Sequence, residues 1–138
     1  MESIIRDATV CRLGCADDGV PYVVPLSFGF RSGAIYIHSA PEGEKIFILQ
    51  KNPDCCIEFD ECQKVVQAEK PCHWGMQYRS VICRGRAVFM TNPDEKRIGL
   101  NCIMNHYGGD SYTFSEKDLG NVCVLRIDIL EMTGKKTA

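Results

Sequence analysis

Alternation of apolar and polar positions dominates the first third of the chain. In VPYVVPLSFGF, Val20, Tyr22, Val24, Leu26, Phe28 and Phe30 fall on one side, and Pro21, Val23, Pro25, Ser27 and Gly29 on the other. That is the period of a strand with a single core face. Pro25 has no N–H to donate, so the strand needs an edge, a bulge or a gap around residues 24–27, and a gap would leave backbone groups free for a ligand. The alternative is that Pro25 only protects an edge strand from aggregation. Upstream, Ile4, Ile5 and Ala8 predict one or two helical turns within residues 2–8, and residues 9–15 turn strand-like. Asp18-Gly19 predicts a hairpin between these two strands. Arg31, Ser32 and Gly33 make the next turn, after which Ala34, Tyr36 and His38 alternate with Ile35 and Ile37 as a third strand.

The stretch GAIYIHSAPEGEKIFILQKNP, residues 33–53, reads as strand, corner and helix. Ser39 stands three residues before Glu42, and Pro41 suits a first helical position, which predicts a capped helix start. Ile46, Leu49 and either Phe47 or Ile48 form its stripe, and Asn52-Pro53 ends it. Unpaired N–H groups at that start, with Lys45 in the first turn, would seat a phosphate. The commoner arrangement at such a corner is that Ser39 merely caps, Lys45 is solvated and His38 bonds locally. CCIEFD predicts a short strand, Val65-Val66 the core of another, and residues 78–90 a long one with Gly85 as a bulge. Trp74 and Tyr78 belong to core or rim. Asn92, Pro93, Asp94 and Glu95 announce a second helix. Ile98, Cys102 and Leu100 or Met104 face inward, Gly108-Gly109 stops it, and His106 sits against its negative end. After a polar loop with Phe114, the last strand sets Cys123, Leu125, Ile127 and Ile129 on one face and Arg126 and Asp128 on the other. Six or seven closely spaced strands with two inserted helices predict a small antiparallel barrel with helices outside it.

At 138 residues the chain suits one domain, residues 1–138. A formal charge of −2 argues against broad electrostatic binding to nucleic acid or anionic membrane. No run is long enough to span a bilayer, and MESIIRDATV lacks the plan of a secretory signal, so a cytoplasmic protein is expected. Nine cysteines, an odd number, then read as free thiols, with Cys83 and Cys123 acting as small hydrophobes. Cys55, Cys56, Cys62, Cys72 and His73 are close in sequence, but there is no C-x-x-C pair and adjacent Cys55 and Cys56 face opposite ways, so no metal site is expected. Dinucleotide, P-loop, H-E-x-x-H, G-x-S-x-G and EF-hand patterns are absent, and Cys72-His73 carries no signature of a cysteine nucleophile.

The series VCRLGCADDGVPYVVPLSFGF, IYIHSAPEGEK, NP with CCIEFD, YRSVICRGRAVF and VCVLRIDILEMTGKK resembles the nitroimidazole-resistance branch of the pyridoxamine 5'-phosphate oxidase-like FMN-binding split-barrel family. The resemblance runs from about Ile4 to the carboxyl end. It implies a mainly β fold with peripheral helices: a six-stranded antiparallel Greek-key split barrel that forms a homodimer, with FMN in grooves at the subunit interface. FAD and haem are the lesser cofactor alternatives. The backbone of Val24, Pro25, Leu26, Ser27 and Phe28 would lie along the flavin ring, with Pro25 keeping that ladder open. His38, Ser39, Ala40 and Lys45 would wrap the ribityl phosphate, and Tyr78, Arg79, Ser80 and Val81 would approach its phosphate and ribityl side. The flavin would carry the redox chemistry on a small-molecule substrate. His38 is the candidate catalytic residue, as proton donor or substrate orienter. The lack of an evident Arg-rich segment for a second phosphate argues against vitamin B6 oxidation. The implied activity is nitroreduction. The alternatives are a flavin reductase or oxidase of another metabolite, a flavin or haem carrier or redox sensor, and a structural dimer with a vestigial groove.

Overall fold

The computed structural model describes residues 1–137. Its first hairpin follows from two residues able to take positive φ. Asp18 (φ 50°) and Gly19 (φ 82°) turn β1 (Cys11–Asp17) into β2 (Val20–Leu26), with Asp17 opposite Val20 and Cys11 opposite Leu26. Ser32 (φ 50°) and Gly33 (φ 74°) repeat the device between β3 (Gly29–Arg31) and β4 (Ala34–Ser39). The remaining strands are β5 (Asp54–Val66), β6 (Gly75–Phe89) and β7 (Cys123–Lys136), all paired antiparallel in the order β2-β1-β5-β6-β7-β4-β3.

The two edge strands are consecutive in the chain, separated only by Ser27 and Phe28. A flat sheet of this width would hold its edges on the order of 30 Å apart, given about 4.8 Å between strands. Two residues cannot bridge that gap, so the sheet curls until β2 and β3 adjoin. No ladder joins them, and the rolled sheet keeps one open seam. The six-stranded count is therefore corrected to seven. The run VPYVVPLSFGF does not stay one strand: it leaves the β1 ladder after Leu26 and joins β4 at Gly29. Val20, at the hairpin tip, is exposed, whereas Phe28 and Phe30 are buried as the alternation predicts.

The rolled sheet encloses Leu13, Phe28, Ile35, Ile37, Ile57, Phe59, Val81, Leu125 and Ile127. Helix α1 (Glu2–Asp7) adds Ile4 and Ile5, and α2 (Glu44–Lys51) adds Ile46, Ile48 and Leu49. The ladder of β6 with β7 shifts register between Arg84 and Gly85, the bulge its sequence predicts. A Cβ on Gly85 would stand 2.6 Å from the Asp128 carbonyl oxygen, so only glycine allows the strands to approach there. Helix α3 (Pro93–His106) begins as its sequence dictates, with the Asn92 side chain accepting from the N–H groups of Asp94 and Glu95. It packs outside the sheet with α4 (Glu116–Gly120), enclosing a second cluster of Met90, Leu100, Leu119 and Val124. Adjacent Val124 and Leu125 are consequently both buried.

Several expectations are corrected. Helix α2 starts at Glu44, not after Ser39, because Ser39 remains in β4 opposite Cys123 and residues 40–43 are spent on the corner. No side chain caps it, and the Ser39 hydroxyl donates instead to the Ala40 carbonyl. CCIEFD and Val65-Val66 belong to one 13-residue strand. Ile98 is exposed, and α3 buries Leu100, Cys102 and Ile103. The loop after α3 contains α4, whose Ser115-x-x-Asp118 capping box was legible but weak in so short a helix. His106 does not serve its own helix end, since its Nε2 bonds the Ala8 carbonyl at 2.7 Å and ties α3 to the end of α1. Trp74 is a rim residue, its indole N–H donating to the Ala68 carbonyl at 2.6 Å.

Candidate functional site

The seam is built by backbone accounting. In a two-residue hairpin the closing pair, Asp17 with Val20, is hydrogen-bonded, and bonded pairs then alternate along the ladder. The backbone of Pro21, Val23 and Pro25 therefore turns to the open edge of β2. Both prolines lack an N–H, so that edge offers three carbonyl oxygens and only the Val23 N–H. Of the alternatives open for Pro25, the structure selects an edge strand. The side chains of Val24 and Leu26 pack on the core, while Ser27 is exposed where the chain crosses the seam. Phe28 is committed elsewhere. Its ring lies against Phe59 and His106, at centroid distances of 4.9 and 4.3 Å, and its N–H donates to the Tyr107 hydroxyl at 3.1 Å. That hydroxyl donates in turn to the Thr9 carbonyl at 2.7 Å, so Tyr107 pins the break between β2 and β3.

The last residues of β4 lie on the other side of this break. Continuing the β3–β4 register back from Gly29 opposite Tyr36 would set Ser27 against His38, but the ladder stops at Gly29. His38 is exposed on the outer face of β4, and Lys45 lies half-buried in the first turn of α2. Desolvation, and then the charge of Lys45, lower the His38 pKa below 6.5, so the imidazole is neutral at pH 7. The Lys45 charge also acts on Cys123, the partner of Ser39, whose thiol pKa is nevertheless raised by burial. Ala40 is exposed in the corner. Beside His38 opens a cleft of about 480 Å³ with an apolar wall of Leu100, Ile103, Met104, Tyr112 and Phe114. The sequence did not single out this wall, whose residues come from α3 and the loop after it.

Tyr78, Arg79, Ser80 and Val81 are not part of this neighbourhood. Ser39 pairs with Cys123 at one end of β7, whereas Arg79 and Ser80 pair with Lys136 and Lys135 at the other. At about 3.3 Å per residue the intervening strand is on the order of 40 Å long. Arg79 donates from Nε to Glu61 at 2.9 Å and pairs with it again through Nη2. It lines a cleft of about 460 Å³ with Lys135 and Lys136. The Tyr78 N–H donates to the Thr137 hydroxyl at 3.0 Å, and Val81 is buried in the core. The fold thus sets the β6 group apart from the corner after β4, and no ladder joins β2 to β4. No polar or charged side chain is buried among the described residues, so acid–base chemistry falls to groups at the surface and in clefts.

The sequence model of the family described as "Pyridoxamine 5'-phosphate oxidase" matches residues 1–136. The chain belongs to the pyridoxamine 5'-phosphate oxidase family. Within the same fold, a candidate 5-nitroimidazole antibiotic resistance protein from Bacteroides thetaiotaomicron is 41% identical, with a TM-score of 0.86 over 96% of this chain and 80% of that one. An FAD and haem binding protein from Mycobacterium smegmatis superposes with a TM-score of 0.87 over 97% of this chain and 68% of that one, at 16% identity, a likeness of fold alone. An uncharacterised protein of Rhizobium meliloti (strain 1021) is 26% identical over 85 residues, 62% of this chain. That match spans 49% of the other protein, about half its length. No helix among the described residues is long and apolar enough to cross a membrane.

Proposed function

We propose that this member of the pyridoxamine 5'-phosphate oxidase family is an FMN-dependent oxidoreductase of the nitroimidazole-reducing kind, acting as a homodimer with the cofactor at the subunit interface. The observation that carries this reading is the 41% identity, across 96% of the chain, to the candidate nitroimidazole-resistance protein. The seam fits a flavin in its chemistry. The free edge of β2 presents mostly carbonyl acceptors to a ring N–H, and the corner after β4 presents Ser39, the Ala40 backbone and the Lys45 ammonium to a phosphate. The strand separating Ser39 from Arg79 supports the dimer: Tyr78, Arg79 and Ser80 would complete the site of the other subunit.

Bound FMN supplies electron pairs for reduction of the nitro group toward the amine. This chain's residues bind and orient. Lys45 balances the phosphate charge, the β2 edge fixes the ring, and the apolar wall of Leu100, Ile103, Met104, Tyr112 and Phe114 excludes water beside His38. Neutral His38 orients the substrate by hydrogen bonding, and its protonated form, which grows as pH falls, gives protons to the nitro oxygens as they leave as water.

The test is the absorption spectrum of the purified protein, identification of the molecule that heat releases, and anaerobic reaction of the reduced protein with a 5-nitroimidazole. FMN in the supernatant, with reoxidation and an amine product, is the expected result. A Soret band would move the reading to haem, and a colourless protein that takes up no FMN would remove the cofactor. Bound FMN that the nitroimidazole fails to reoxidise would leave a flavoprotein with another substrate.

A further inference from the structure

Helix α3 divides two clefts. Leu100, Ile103 and Met104 face the one beside His38, whereas Ile98, Asn101, Cys102 and Asn105, recurring with helical spacing, line a second one of about 610 Å³. Arg6 from α1, Arg31 from the end of β3 and Arg97 from α3 also line this second cleft. No carboxylate is among its lining residues, although the chain as a whole is acidic. Arg6 lies 3.5 Å from Glu2 in an exposed pair, and Arg97 is 3.0 Å from Asp94 while its Nε donates to the Phe114 carbonyl. Among the described residues Arg31 has no ion-pair partner. Its charge reaches the cleft floor, where it opposes the rise that burial imposes on the Cys102 thiol. The Arg6 guanidinium stacks over the Phe30 ring at 5.0 Å from the centroid, which holds that cation in place.

Arg6 and Arg97 each face a carboxylate that is not among the cleft's lining residues, so Arg31 carries the charge left without a counter-ion, and a ligand of opposite charge supplies one. Arginine is also the side chain best shaped to grip phosphate or carboxylate through paired N–H donors. We propose that this cleft binds a compact polyanion of the pyrophosphate class, gripped by Arg31 with Arg6 and Arg97 as supporting charges. The site is separate from the corner at Lys45, which lies beyond the other flank of α3.

The test is isothermal titration of the purified full-length protein with inorganic pyrophosphate at low and moderate salt. One site per chain is expected, with affinity falling as salt rises. Arg31→Gln is expected to weaken binding about tenfold or more, and Arg6→Gln to weaken it in the same direction. Arg31 is exposed at a hairpin and Arg6 on a surface helix, so one variant remains informative if the other fails to fold. Saturating the corner at Lys45 with FMN should leave pyrophosphate affinity unchanged. Absence of binding at millimolar pyrophosphate, wild-type affinity in folded Arg31→Gln, or displacement of pyrophosphate by FMN would each overturn the assignment, the last by locating the anion at the corner.

Discussion

Gly29→Ala tests the contact on which the seam depends. Gly29 is the first residue of β3 after the break, and α3 crosses directly over it. A Cβ built there would lie 2.6 Å from both the carbonyl carbon and oxygen of Cys102 and 2.7 Å from the Ile103 nitrogen. Ordinary contact begins at 3.4 Å, so the neighbours must retreat by up to 0.8 Å. Those neighbours are backbone, and no rotamer change relieves them. Overpacking of this sort costs about 1–3 kcal/mol. Removing a glycine from the unfolded ensemble offsets roughly 0.4–1 kcal/mol. The net expectation is a loss of about 1–2 kcal/mol, which lowers Tm by roughly 3–10 °C for a chain of this size. Calorimetry with urea unfolding at constant pH gives the number. Gly120→Ala serves as the control, because a Cβ there meets nothing within 4 Å. A Gly29→Ala protein as stable as the wild type would refute the close crossing of α3 over β3, and with it the account of how the break is held.

Lys45→Ala should weaken FMN binding by about 1–3 kcal/mol, read by fluorescence titration of the apoprotein; unchanged affinity would remove Lys45 from the phosphate seat. Because the folded pKa of His38 is lowered below 6.5, the unfolded chain takes up this proton first as pH falls. His38 therefore withdraws stability as pH drops through 6.5 and has no effect above it, a dependence that His38→Gln should abolish in thermal melts taken across that range. If His38 is the proton donor, nitro reduction should also quicken as pH falls toward its lowered pKa, and a profile unchanged in His38→Gln would exclude that role. Thiol titration of the native protein should show fast reaction at exposed Cys62 and Cys72, slow reaction at half-buried Cys55, whose pKa burial pushes up to about 12, and reaction of fully buried Cys11, pushed equally high, only on unfolding. Fast labelling of Cys11 would contradict its place in the core.

Much of the fold is local and so was legible. Asp18-Gly19 and Ser32-Gly33 take positive φ because short-range sterics and hydrogen bonding permit it, and alternation in residues 34–39 chooses strand without help from distant chain. Asn92-Pro93 starts α3 for the same reason. The corner after Ser39 misled the sequence argument because two outcomes compete for one residue. Ser39 can cap a helix, but as a member of β4 it has a ladder partner in Cys123, and strand pairing prevailed. The apolar wall beside His38 was invisible because α3 and residues 112–122 meet it only through packing.

The sequence by itself determined the hairpins, the bulge at Gly85, the apolar set that fills the core and, by resemblance, the family. Tertiary structure alone decided that the apolar run from Val20 to Phe30 divides between the two edges of one curled sheet. It alone decided that Ser39 and Arg79 stand at opposite ends of β7. The physical reason is one of range. Turn preference and periodicity act over a few residues, whereas the distance between two side chains depends on which strands lie side by side, and only the hydrogen-bonded register of the whole sheet fixes that.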